Sequence, residues 1–221
     1  MKKLNHNKST REREKDFFKV ELMNLKKLLS TKFYLRNRAE YKHKISKDLE
    51  INASFRGGSL SKEFLNGYEW KYIKCYRNFQ VNQGNIWEKY YKTKMKILEN
   101  KTGFSFEYNR TIGDGLIIGH WGKIVINEAV QFGSRLFITH GVTIGRDIRG
   151  KRAGAPTFGD SVCIRANSTV VGKINIGNDV LIAPNTFVNF DVPDHSVVVG
   201  NPASIHHREN ATEGHIPNVN W

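Results

Sequence analysis

The chain has little cysteine and no long apolar run. Only two cysteines, Cys75 and Cys163, occur in 221 residues, and their wide separation fits neither a disulfide framework nor a zinc knuckle. No apolar stretch reaches the roughly 18 residues that a membrane-spanning helix requires. The first residues, MKKLNHNKST, lack the apolar core of a signal peptide. We therefore expect reduced thiols in a cytoplasmic protein.

Acidic residues, glycine and proline are scarce in the first half of the chain. Residues 1–110 contain 26 Lys and Arg against 12 Asp and Glu, whereas the remainder contains nine of each sign. Five of the 19 glycines and none of the five prolines fall in that first half. This change in composition predicts a basic helical region at 1–103 and a second domain at 104–205. A tail at 206–221 follows.

Three segments of the basic region show apolar residues at helical spacing. The first covers residues 10–30, the second follows Ser61, and the third runs from beyond Gly84 to Gly103. Serine is a favoured residue before a helix, and glycine readily adopts the left-handed conformation that ends one. Residues 31–57 show only a looser pattern.

Lysines and aromatic residues are interleaved in this region, as they are in many nucleic-acid-binding proteins. No nucleic-acid-binding motif accompanies them, and the aromatic spacing fits packing between helices equally well. We therefore expect no nucleic-acid partner. A basic surface of this kind would instead attract an acidic polymer or the anionic surface of a membrane.

The second half contains an internal repeat of six residues. One set of columns comprises Ile112, Ile118, Ile126, Phe132, Ile138, Ile144, Phe158, Ile164, Val170, Ile176, Ile182 and Val188. A companion column two residues earlier comprises Ile124, Val130, Leu136, Val142, Val162, Ser168, Ile174, Val180 and Thr186. A period of six is neither the 3.6 of a helix nor the alternation of a hairpin strand. It predicts short strands, three to each coil of a triangular prism, in about four stacked coils.

Two insertions interrupt the period, and functional residues of repeat proteins often lie on such loops. The first insertion, at 120–123, contains His120 and Trp121. The second, RDIRGKRAGAPT at 146–157, carries four basic residues, which include Lys151 and Arg152.

The hexads resemble those of the left-handed parallel β-helix acyltransferases over roughly residues 100–208. The stretches GLIIGHWGKIVINEAVQFGSRLFITHGVTIG and NFDVPDHSVVVGNPASI resemble the serine acetyltransferase branch, although polysaccharide O-acetyltransferases share these motifs. The resemblance implies an α+β fold, with an N-terminal helical region followed by a left-handed parallel β-helix of hexapeptide repeats. It also implies an acyltransferase with acetyl-CoA as co-substrate and no metal.

His120 occupies the position that matches the catalytic histidine of this family. A hydroxyl attacks a thioester poorly unless a base removes its proton, and histidine has a suitable pKa of about 6.5. His140, just over one coil later, is a candidate for the acceptor pocket, as is Trp121. Glu107 and Asp114 are candidates for orienting His120, and the sequence does not choose between them and Glu128.

The resemblance also suggests where acetyl-CoA binds, in a groove between adjacent prisms. Small residues along this groove would contact the pantetheine arm, and cations would meet the phosphates. The candidates are Gly145, Lys151, Arg152, Arg165, Ala166, Ser168 and Ala183. A groove between prisms requires more than one copy of the chain, so we expect a homotrimer.

The acceptor is predicted to be a sugar hydroxyl, most simply in a surface polysaccharide or its precursor. Carboxylates that would hold the ammonium group of serine are replaced by Gly119 and Ser105, and a loop histidine is replaced by Ala155. The basic region would also attract an anionic polymer. The alternatives are a serine O-acetyltransferase and a non-catalytic trimeric binding module. A zinc-dependent carbonic anhydrase of the same fold is disfavoured, because the closely spaced histidine pair of that family is missing.

Overall fold

The structure, a computed structural model, describes residues 31–219. The helix predicted at 10–30 lies outside the described residues. Four helices precede the repeat in the described part of the chain: α1 (Thr31–Phe55), α2 (Lys62–Asn66), α3 (Tyr68–Val81) and α4 (Ile86–Thr102). None of these helices is both long enough and apolar enough to cross a membrane.

Helices α2 and α4 have residues at their ends that favour a helix start or a helix end. The Ser61 hydroxyl accepts the Phe64 N–H at 3.2 Å at the start of α2. Gly103 has a φ of 75°, and its N–H donates to the Glu99 carbonyl at the end of α4. The single helix predicted after Ser61 is divided at Gly67, where the backbone is extended between α2 and α3.

Most of the loosely patterned residues 31–57 form the longest described helix, α1, which the sequence did not predict. This helix is anchored by two buried polar residues, Asp48 and Asn52. The Asn52 amide donates to the Leu116 carbonyl at 2.9 Å, and the Asp48 carboxylate accepts the Leu116 N–H at 2.8 Å. A search for apolar periodicity misses such a helix, because hydrogen bonds fix its position as much as apolar burial does.

Fourteen short strands follow α4. They are β1 (Phe104–Ser105), β2 (Ile117–Ile118), β3 (Ile124–Ile126), β4 (Gln131–Phe132), β5 (Phe137–Ile138), β6 (Thr143–Gly145), β7 (Thr157–Phe158), β8 (Val162–Ile164), β9 (Thr169–Val171), β10 (Asn175–Ile176), β11 (Val180–Ile182), β12 (Phe187–Val188), β13 (Ser196–Gly200) and β14 (Ala203–His207). Sheet 1 has the order β1-β3-β6-β9-β12, sheet 2 the order β4-β7-β10, and sheet 3 the order β2-β5-β8-β11-β13-β14. All pairings are parallel except that of β13 with β14.

The three sheets form the faces of a prism whose interior is filled by the hexad columns. All twelve residues of the first set and all nine of the companion column are buried. The predicted left-handed β-helix is confirmed. The antiparallel strand β14 extends sheet 3 to His207, which is two residues beyond residue 205, the expected end of the second domain.

The outer face of sheet 3 is covered by the chain itself. A second apolar cluster there joins Ile51 of α1 and Ile216 of the C-terminal segment to outward-facing strand residues, namely Ile117, Phe137, Cys163 and Leu181. Cys75 and Cys163 are both unpaired and buried, and burial raises the pKa of the Cys75 thiol to about 11. The resulting packing fixes the helical region against one side of the prism.

Candidate active site

His120 lies in the turn between β2 of sheet 3 and β3 of sheet 1. Because β2 pairs with β5 through Ile118 and Ile138, His120 and His140 occupy equivalent positions on successive coils. Their ring centroids are 6.0 Å apart in an edge-on arrangement, and both residues are exposed. The structure therefore brings the two histidines together at one corner of the prism, which we call the histidine corner.

Glycine at position 119 is favoured by close packing against the next coil. A Cβ at this position would lie 2.7 Å from the Phe137 ring and 3.0 Å from the Thr139 methyl group. At Gly122, where φ is +141°, a Cβ would lie 2.9 Å from that of His140. A carboxylate directly before His120 would therefore require the Phe137 ring to move.

A carboxylate reaches the histidine corner from the helical region instead. Glu69, in the first turn of α3, accepts the Trp121 N–H through Oε1 at 3.1 Å. Arg56 lies within electrostatic range of Glu69; burial lowers the pKa of Arg56, and the Glu69 charge opposes that effect. Sequence reasoning missed Glu69, which is separated from Trp121 by 52 positions. The Trp121 side chain is 60% exposed beside it.

Glu107 and Asp114 lie at the other two corners of the prism. Glu107 follows β1 of sheet 1, where its carboxylate accepts the Asn127 amide at 2.8 Å. Asp114 precedes β2 of sheet 3; its carboxylate forms an ion pair with Lys44 at 3.2 Å and a hydrogen bond with the His43 ring at 3.1 Å. The structure therefore does not bring either candidate beside His120. Glu128 lies at the Glu107 corner, because it follows β3.

Two of the small residues predicted to line a cofactor groove lie above the histidines. Ala166 follows β8 and stands one coil beyond His140, and Ala183 follows β11 on the next coil. Both are partly exposed. Ser168 is different, because its side chain is buried in the prism and its hydroxyl donates to the Ala183 carbonyl at 2.8 Å. The prediction that Ser168 lines an outer groove is therefore corrected.

Of the predicted phosphate-binding cations, Arg165 lies one coil beyond the histidine corner, whereas Lys151 and Arg152 lie away from it. Arg165 packs over the Phe137 ring at 5.5 Å, beside sheet 3. Lys151 and Arg152 lie in the loop that leaves β6 after Gly145, at the opposite edge of sheet 1. This loop is closed by reciprocal backbone hydrogen bonds of 2.9 Å between residues 147 and 154. A strand rises about 3.3 Å per residue, so the loop begins up to roughly 20 Å from His140.

No group of three His, Cys, Asp or Glu side chains within the described residues is arranged to hold a metal ion. The two histidines of the corner therefore have no third ligand among residues 31–219.

No protein-family model matches the chain. Curated relatives include a serine acetyltransferase of Helicobacter pylori, 38% identical over 102 residues, which make up 46% of this chain and 60% of the relative. Serine acetyltransferase 4 of Arabidopsis thaliana is 41% identical over 96 residues, or 42% of this chain and 26% of the relative. The chain thus matches less than two thirds of the length of either protein.

Solved structures extend the similarity to most of the chain. The serine acetyltransferase of Neisseria gonorrhoeae superposes with a TM-score of 0.68 and 23% identity, covering 80% of this chain and 72% of that one. The soybean apoenzyme superposes with a TM-score of 0.62 and 26% identity, covering 76% and 69%. The fold is that of the serine acetyltransferases. These similarities support the resemblance to hexapeptide-repeat acyltransferases.

The prediction of a polysaccharide acceptor is wrong. The similar proteins are named serine acetyltransferases, and none of these names mentions a glycan. The prediction relied on the absence of carboxylates at Ser105 and Gly119, on Ala155 in place of a loop histidine, and on the charge of the basic region. A side chain at position 119 would require the Phe137 ring to move, and the described structure supplies a carboxylate through Glu69.

Proposed function

We propose that the chain is an acetyl-CoA-dependent O-acetyltransferase that acetylates the hydroxyl of serine, with His120 as general base. The observation that carries the proposal is the histidine corner itself. There an exposed histidine stands in a turn of a β-helix, and the carboxylate of Glu69 is hydrogen-bonded to the next peptide group. The similarity to serine acetyltransferases supports the same acceptor.

The reaction needs one base that later acts as an acid. A neutral ring nitrogen of His120 takes the proton from the serine hydroxyl as its oxygen attacks the thioester carbonyl of acetyl-CoA. The tetrahedral intermediate collapses with cleavage of the carbon–sulfur bond. The CoA sulfur then receives the proton from the imidazolium, which leaves O-acetylserine, free CoA and neutral His120.

Glu69 is suited to hold the ammonium group of serine. Its Oε1 atom accepts the Trp121 N–H, and a carboxylate has further acceptor capacity for a cationic donor. A charge-assisted hydrogen bond at this place would orient the serine hydroxyl towards His120. Trp121 and His140 would form the remaining sides of the acceptor pocket.

Acetyl-CoA is proposed to bind between two copies of the chain. Gly145, Ala166 and Ala183 offer small surfaces for the pantetheine arm. Lys151 and Arg152 stand at the other edge of sheet 1, so the loop of a neighbouring prism would bring their charges to the CoA bound beside His120. This arrangement requires the homotrimer expected from the resemblance. Light scattering that reports a monomer at micromolar concentration would contradict the shared groove.

The test is release of CoA from acetyl-CoA in the presence of L-serine. The His120→Asn variant should lower kcat by about 10²- to 10⁴-fold, the usual contribution of a positioned general base. His206→Asn is the matched control, because His206 is an exposed histidine on β14, far along sheet 3 from β2. It should retain normal activity.

A second variant tests the acceptor. Glu69→Gln keeps an acceptor for the Trp121 N–H but removes the charge, so KM for serine should rise while KM for acetyl-CoA stays unchanged. CoA release that is no faster with serine than without it would refute the proposed acceptor. Normal activity of His120→Asn would refute the proposed base.

A further inference from the structure

The outward side of α4 combines exposed apolar residues with lysines. Ile86, Trp87, Tyr90 and Ile97 are 58%, 47%, 51% and 54% exposed. The exposed lysines of the same helix are Lys89, Lys94, Lys96 and Lys101. These eight residues are called the α4 outer face. Four large apolar side chains on one helix side are a feature that packing within the described chain does not explain.

The residues of the α4 outer face are arranged as a stripe with two flanks. At about 100° per residue, Ile86, Tyr90 and Ile97 fall within about 40° of one another. Lys94 and Lys101 then lie on one side of this stripe, with Trp87 beyond them. The remaining two lysines lie on the other side. The inward side of α4 carries Met95, Leu98 and Thr102, which are buried.

Of the four lysines of the α4 outer face, only Lys96 pairs with a carboxylate of its own helix. The two carboxylates of α4, Glu88 and Glu99, point towards the protein, and their side chains are only 18% and 9% exposed. Glu88 accepts hydrogen bonds from Arg110 and from the Gly84 N–H. Glu99 accepts the Tyr72 hydroxyl and pairs with Lys96 at 3.7 Å.

We propose that the α4 outer face binds the surface of an anionic membrane. An apolar stripe between rows of lysines is the pattern of a helix that lies in the plane of a lipid interface. Lysine stems are long enough to keep their ammonium groups at the headgroups while the apolar side chains enter the acyl boundary. Tryptophan and tyrosine are favoured at this depth. The proposal does not depend on the proposed enzymatic function.

Two other occupants fit the α4 outer face less well. Two copies related by a twofold axis would set the same patch against itself, so that lysines would face lysines. Single-stranded nucleic acid binds through open aromatic faces on which bases stack. Trp87 and Tyr90 pack edge-on against each other at 6.0 Å and 88°, and the central positions Ile86 and Ile97 are aliphatic.

Vesicle co-sedimentation with the full chain tests the proposal. The probes are phosphatidylcholine vesicles with and without phosphatidylglycerol. We expect binding only to the anionic vesicles, with loss of binding at about 1 M NaCl, where the screening length is about 3 Å. The double variant Lys94→Gln/Lys101→Gln should weaken partitioning roughly 10- to 30-fold, because a lysine near an anionic surface contributes about 1 kcal/mol.

The apolar stripe is tested separately. Ile86→Ser/Ile97→Ser should weaken binding by about tenfold or more through lost apolar burial. The matched controls change exposed positions elsewhere, Lys42→Gln/Lys62→Gln for charge and Ile148→Ser for the apolar change, and they should bind like the unmodified chain. Unchanged melting temperatures would show that each variant is folded.

Three results would overturn the proposal. The first is equal binding to neutral and anionic vesicles. The second is undiminished vesicle binding by both α4 double variants. The third is absence of vesicle binding. In that case, a single-stranded oligonucleotide that binds the unmodified chain but not the lysine variant would assign the face to nucleic acid. A smaller mass of the isoleucine variant in light scattering would assign the face to contact between copies.

Discussion

Replacing Asp48 with alanine should lower the free energy of unfolding by about 3–5 kcal/mol, because it removes one partner of a buried ion pair. Asp48 and Arg77 have fully buried side chains, and their two hydrogen bonds measure 2.7 and 2.9 Å. The Asp48 carboxylate also accepts the N–H groups of Gly115 at 3.1 Å and Leu116 at 2.8 Å. One carboxylate thus ties α1 to α3 and to the first coil of the prism.

The magnitude comes from the groups that the substitution leaves unpaired. The Arg77 guanidinium would keep its hydrogen bonds to the carbonyls of Ile112 and Gly113, but its charge would lose the carboxylate that contacts it directly. Two buried N–H groups would lose their acceptor, at a cost of about 1–3 kcal/mol each where water cannot reach them. Relaxation of the neighbouring backbone offsets part of this sum, so we expect the range measured for single deletions from buried pairs.

Urea unfolding followed by circular dichroism measures the effect. Glu50→Ala, which breaks the partly exposed pair with Lys47 at 3.5 Å, is the control and should cost no more than about 1 kcal/mol. The double variant Asp48→Leu/Arg77→Met should lose less stability than the two single variants together, with a coupling of about 0.5–3 kcal/mol. A loss below about 1 kcal/mol for Asp48→Ala would show that the pair does not hold the helical region to the prism.

Three further predictions concern the prism. Ile176→Ala in an interior column should lower the unfolding free energy by about 2–5 kcal/mol through lost burial and a cavity, as measured by urea unfolding. Gly119→Ala should cost about 1–3 kcal/mol, since its Cβ would meet the Phe137 ring at 2.7 Å; unchanged stability would refute the packing requirement. The hydrogen bond to Asp179 raises the pKa of His195, so the stabilisation by this pair should be present below about pH 6.5 and lost as the pH rises through the raised value. His195→Gln should abolish this part of the pH dependence in thermal melts, and an identical pH profile for the variant would contradict it.

The β-helix could be predicted from the sequence because its constraint is repeated. Every coil must place one large residue in the prism interior at the same point, so the columns are visible as a period of six and all of their members are buried. An atypical residue in any single hexad would not have hidden the pattern. The same redundancy made the insertion around His120 visible as a break.

The first described helix could not be predicted in this way. Helix α1 contacts the prism through Asp48 and Asn52 as well as through apolar residues, and these polar contacts join positions more than 60 residues apart. Neither local propensity nor periodicity carries information about such pairs. The buried Arg77 is likewise an ordinary charged residue of an amphipathic helix when only the sequence is read.

The acceptor was mispredicted for a related physical reason. The negative charge at a binding site depends on which carboxylates lie nearby in three dimensions. The prediction instead compared Gly119 and Ser105 with the residues at the matching positions of a sequence motif. A side chain at position 119 would collide with the Phe137 ring unless that ring moved, and the carboxylate at the turn around His120 comes from another element. Helix α3 provides one through Glu69, and the α1–α3 packing that includes the Asp48–Arg77 pair holds that helix in place. Loss of the buried pair should therefore impair the positioning of Glu69 as well as the stability of the fold.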